Sequence, residues 1–125
     1  MNFLRTGAVV VVLTLLTTAT ANAGTPGYAA CMATSSAISK IFYALPIAAE
    51  EGKTDALALQ YVQMLRDEKY AAKSIYAPAD AGPPAIEADC RWHATSADAK
   101  AWTDKVMQGA AGRGYVVLGT PFKAR

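Results

Sequence analysis

Acid-base chemistry near neutral pH falls first to histidine, and this chain has one, His93. It stands in the run Ile86-Glu87-Ala88-Asp89-Cys90-Arg91-Trp92-His93-Ala94, which alternates apolar and polar for nine residues. In an extended chain alternate residues share a face, so Glu87, Asp89, Arg91 and His93 fall on one side. Ile86, Ala88, Cys90, Trp92 and Ala94 fall on the other. The nearest same-face neighbour of His93 is Arg91, about 7 Å along the strand, with Asp89 about twice as far. A catalytic histidine is usually oriented by a carboxylate, and here the nearer group is a cation. One enzyme reading survives on these residues: a small hydrolase using His93 with Asp89 or a carboxylate from elsewhere. Its plain counterpart is a solvent-facing histidine beside an ion pair.

The other reactive residues are fewer still. There are two cysteines, Cys31 and Cys90, and no Gly-x-Ser-x-Gly elbow or Ser-x-x-Lys pair marks an activated serine. A structural zinc site takes four Cys or His ligands, and the chain holds three such residues without paired spacing. Gly109, Gly112 and Gly114 follow a helical pattern and precede a strand, the reverse of a dinucleotide-binding loop. The expectation is no metal and no cofactor.

The N-terminus speaks about compartment. Met1 to Arg5 make a short basic start, Gly7 to Leu16 an apolar run too short for a membrane helix, and Ala21-Asn22-Ala23 a small-x-small cleavage signal. Residues 1–23 read as a secretory signal peptide and 24–125 as one small domain of 102 residues. Without Arg5 the charge is 11 basic against 10 acidic residues, with no cationic stripe. Nucleic-acid binding is therefore disfavoured, and no membrane span is expected in the mature chain. In an oxidising compartment Cys31 and Cys90 are expected to form a disulfide. Cysteines so far apart in sequence close a long loop, and their bridge would contribute about 4 kcal/mol.

The elements that must position these groups follow from patterning. Tyr28 to Ala33 reads as a strand, and Ala37 to Leu45, rich in β-branched and aromatic residues, as a second strand stopped by Pro46. Thr54 and Asp55 open a helix to about Ala72, with Leu57, Ala58, Tyr61, Val62 and Leu65 as its apolar stripe. Ser74 to Ala85, with Pro78, Gly82, Pro83 and Pro84, reads as an extended connector. After the alternating strand, Thr95 and Asp98 fit a helix cap, and Ala99, Trp102, Val106 and Ala110 make a second stripe. Gly112 or Gly114 should close that helix in the left-handed conformation, and Tyr115 to Thr120 forms the last strand.

The order β-β-α-β-α-β predicts an α+β two-layer sandwich, about four mainly antiparallel strands with two helices on one face. The clean alternation of 86–94 is the ground for leaving the other face open. Tyr28, Met32, Asp89, Arg91 and His93 would then line a contact surface. The functional expectation is an exported, periplasmic or secreted, non-catalytic binding protein, such as an inhibitor or immunity-type protein. Its partner would be another protein or an envelope component. A homodimer would cover the open face most simply, and the remaining alternative is an oligomeric structural or stress protein of the envelope.

Overall fold

The computed structural model describes residues 24–70, 77, 78 and 80–124. The expected signal peptide and residues 74–76 and 79 of the connector lie outside them. The sheet is organised around β1, Pro26–Ser35. Tyr28 to Ala33 is apolar at every position, and a strand with that character can be buried on both faces. It is: Ala29, Ala30, Cys31 and Ala33 are all fully enclosed.

Along one edge β1 pairs antiparallel with β4, Glu87–His93, from Tyr28 opposite His93 to Thr34 opposite Glu87. Along the other edge it pairs antiparallel first with β2, Lys40–Ala44, and then with β3, Ile47–Glu50. Met32 faces Tyr43 while Ala29 faces Ile47, so two residues of β1 are spanned by Ala44, Leu45 and Pro46. That one-residue bulge is where a proline can sit inside a paired strand, because no ladder hydrogen bond is asked of it. Pro46 therefore breaks the strand without ending it, and Ile47–Glu50 resumes the pairing. β5, Val116–Thr120, lies parallel to β2 on its outer side. The result is an open, mixed, five-stranded sheet in an α+β fold.

Helix α1 is Thr54–Asp67. Thr54 is its first helical residue and not its cap, and Lys69 at φ 60 ends it earlier than the apolar pattern suggests. Its buried stripe is Leu57, Tyr61 and Leu65. Helix α2 is Ser96–Gly112, capped by the Thr95 hydroxyl, which accepts from the Asp98 N–H at 3.1 Å. Gly114 at φ 89 turns the chain out of it. The buried stripe of α2 is Ala99, Thr103, Met107 and Ala110, rotated from the expected one, with Trp102 and Val106 half-buried at its border. Thr103 can be buried there because its hydroxyl donates to the Ala99 carbonyl at 3.1 Å.

The helices lie on opposite faces of the sheet, which corrects the expectation of both on one. Phe42, Ala29, Cys31 and Ala33 pack with Leu57, Tyr61 and Leu65 of α1. Ile41, Met32, Tyr43 and Val117 pack with Met107 and Ala110 of α2. Among the described residues strand β4 pairs with β1 alone and lies at an edge of the sheet. Its alternation reports an edge position that α2 covers only in part. Among the described residues no helix is long and apolar enough to cross a membrane.

Candidate functional site

The sheet register brings the expected contact residues to one face, as the alternation required. Tyr28 stands opposite His93 and Met32 opposite Asp89. That face is not open, because α2 crosses it. Met32 packs into the core under α2. Tyr28, Asp89 and Arg91 remain exposed at the β4 side, with His93 half-buried beside them.

Trp102 of α2 organises what is left. The Arg91 guanidinium lies 5.4 Å from the Trp102 ring centre, and the His93 ring lies 6.0 Å from it at 41°. Arg91 Nε also donates to Asp89 Oδ2 at 3.1 Å. The carboxylate nearest on the strand is thus held by arginine, about 13 Å along the strand from His93. His93 Nε2 is buried and makes no hydrogen bond among the described residues. A cation stacked on an indole is suited to contact with a partner surface. It does not orient an imidazole for proton transfer.

The cysteines are committed as well. Cys31 and Cys90 are directly opposed in the β1–β4 ladder and bridged, with Cα atoms 4.0 Å apart. Among the described residues no group of three His, Cys, Asp or Glu converges to hold a metal ion. The buried polar relay is architectural: the Tyr61 hydroxyl and Thr120 Oγ1 are hydrogen-bonded at 2.6 Å, and Thr120 donates on to the Tyr43 carbonyl at 2.9 Å. Burial pushes the Tyr61 phenol well above the ordinary tyrosine range.

A concave feature lies on the other side of β4. A groove of about 640 Å³ runs between α1 and the start of β4. Ala58, Leu59 and Val62 form its helical wall, and Ile86 and Ala88 its floor. Asp55 and Arg66 mark its two ends. Leu59 is 75% exposed, a large apolar side chain presented to solvent. The signal for this site was in the sequence: Asp55, Leu59, Val62 and Arg66 recur at helical spacing, with Val62 at the border of the expected apolar stripe and the other three outside it. What the sequence could not show is that the start of β4 lies alongside that row. Comparison with protein-family models, with curated proteins and with solved structures finds no match to this chain.

Proposed function

We propose that this chain is an exported, non-catalytic binding protein that receives another protein along the groove between α1 and β4. The observation that carries the proposal is the exposed apolar wall of Leu59 and Val62 above Ile86 and Ala88, with an acidic residue at one end and a basic residue at the other. Apolar surface concentrated in a groove and rimmed by polar groups is how contact sites differ from scattered surface leucines. The groove is about as long as five residues of extended chain, since Asp55 to Arg66 spans roughly 16 Å of helix. A protein segment in extended conformation fits that length. Export accounts for the leader-like start and agrees with the Cys31–Cys90 bridge, which persists in an oxidising compartment.

The test places a photoreactive residue at Leu59 in living cells and, as a control, at Leu45, which is 72% exposed on the bulge between β2 and β3. A discrete protein adduct at Leu59 and none at Leu45 is the expected result. Equal, diffuse labelling at both positions sinks the groove. Mass spectrometry of the same sample is expected to find the chain beginning at Gly24 with its two cysteines oxidised. An uncleaved chain with two alkylatable thiols removes the export half of the proposal.

A further inference from the structure

Among the described residues β4 pairs with β1 alone, so its outer edge carries unpaired backbone groups. The strand is seven residues long, holds an uninterrupted register with β1, and contains neither proline nor bulge. Proline and bulges are two of the devices by which natural proteins blunt an edge. The direction of its free groups follows from the disulfide pair. Opposed residues about 4.5 Å apart are the non-hydrogen-bonded kind, and Cys31 and Cys90 are 4.0 Å apart. The N–H and C=O of Ala88, Cys90 and Trp92 therefore point away from β1. His93 shows the complementary direction, its carbonyl lying against Gly27 of β1.

The side chains of this edge read as their own complement. In chain order the face opposite the groove carries Glu87, Asp89, Arg91 and His93, two acids followed by an arginine and a histidine. An antiparallel copy centred on Cys90 sets Asp89 opposite Arg91 and Glu87 opposite His93, twice each. Sliding the copy by two residues sets Asp89 against Asp89 or Arg91 against Arg91 at the centre. Like charges directly opposed destabilise a strand pair, so the pattern selects one register. In that register Asp89 and Arg91 occupy the non-hydrogen-bonded positions, where opposed side chains come closest. Both are available, with side chains 51% and 61% exposed.

From this juxtaposition we infer that the partner at the groove is a second copy of this chain, joined by antiparallel pairing of the two β4 strands about Cys90 into one continuous sheet. The inference rests on the groove reading given above and supplies its occupant. The second copy's Ala94 and Trp92 fall beside Ile86 and Ala88, the floor of the groove that Leu59 also lines. The backbone groups of Ala88, Cys90 and Trp92 gain partners, and the interface is isologous and closed, so growth stops at the dimer.

Charge exchange tests it. Light scattering and sedimentation of the disulfide-bonded protein are expected to give a dimer at micromolar concentration. Asp89→Arg sets arginine against Arg91 and Arg91→Asp sets aspartate against Asp89, so each variant alone should dissociate at least about tenfold more readily. Mixing the two variants should give a one-to-one heterodimer, and the double exchange Asp89→Arg/Arg91→Asp in one chain should restore the homodimer. A wild-type chain that stays monomeric overturns the inference, as do single variants that dimerise like wild type while keeping the native near-ultraviolet circular dichroism. Should a single variant fail to fold, the double exchange decides: a folded monomer overturns the pairing and a dimer supports it. Crosslinking from Leu59 separates the two proposals. An adduct to a different protein in a monomeric wild type leaves the groove standing and removes self-pairing, whereas neither adduct nor dimer removes both.

Discussion

At the scale of single residues, Tyr61 shows most directly how burial and chemistry trade against each other. Its ring packs against Phe122 with centroids 4.8 Å apart, and its hydroxyl is hydrogen-bonded to Thr120. Tyr61→Phe removes one hydrogen bond and leaves Thr120 bonded to the Tyr43 carbonyl, so a loss of about 1 kcal/mol is expected. Thr120→Val should be worse, about 1–3 kcal/mol, because it strands the buried phenol without a partner. The sign of the pH effect follows from the raised pKa. The folded state holds the Tyr61 proton more tightly than the unfolded chain, whose value is 10.0. The contribution is therefore fully present below pH 10 and is lost above it at about 1.4 kcal/mol per pH unit. Urea unfolding from pH 9 to 11 checks this as the difference between wild type and Tyr61→Phe, which should unfold with a shallower alkaline decline. Parallel curves would place the phenol in water.

At the scale of elements, the parts legible in the sequence are those with a local cause. The cap at Thr95, the left-handed Gly114, the core stripe of α1 and the alternation of β4 depend on neighbouring residues, and each lies where the pattern puts it. Strand β3 was not legible, because Pro46 looks like a stop unless the partner strand is known to bulge around it. The covering of the candidate face was also hidden. Ala30 and Met32 are short or flexible enough to sit under a helix or face a partner, and only tertiary packing chooses. The continuous apolar run of β1 was the available clue to a doubly covered sheet. Among the expected contact residues, Asp89, Arg91 and His93 do cluster, but their focus is Trp102, which pattern alone assigned to the core.

The cap on α2 gives this scale its prediction. Thr95 satisfies one of the four N–H groups left open at a helix start, and no acceptor other than water replaces it in Thr95→Ala. The expected loss is about 1 kcal/mol, read as a fall in the thermal midpoint of roughly 4–8 °C for a domain of about 100 residues. Thr95→Ser keeps the acceptor and should stay close to wild type. Equal destabilisation by the two substitutions would show that the methyl group and not the cap matters.

For the whole molecule, the decisive bond is Cys31–Cys90, which ties the central strand to the proposed interface strand. The two cysteines are 59 residues apart in sequence, and β2, β3 and α1 lie between them. The β1–β4 ladder holds the same two strands in register by hydrogen bonds, so the folded sheet does not need the bridge for its geometry. Its effect falls instead on the unfolded chain, which it prevents from expanding, and on the chain-entropy model a loop of this size is worth about 4 kcal/mol. Against a total of about 5–15 kcal/mol for a domain, that is a large share. Cys31 and Cys90 are both buried, so a reductant reaches the bridge mainly through opening of the β1–β4 pair. Reduced protein is therefore expected to retain its far-ultraviolet circular dichroism at 20 °C while its urea midpoint falls by the equivalent of about 4 kcal/mol. The slope of the transition should steepen, because the uncrosslinked unfolded chain exposes more surface. A midpoint change below about 1 kcal/mol with an unchanged slope would mean that the ladder alone restrains the unfolded ensemble, and that the bridge serves something other than stability.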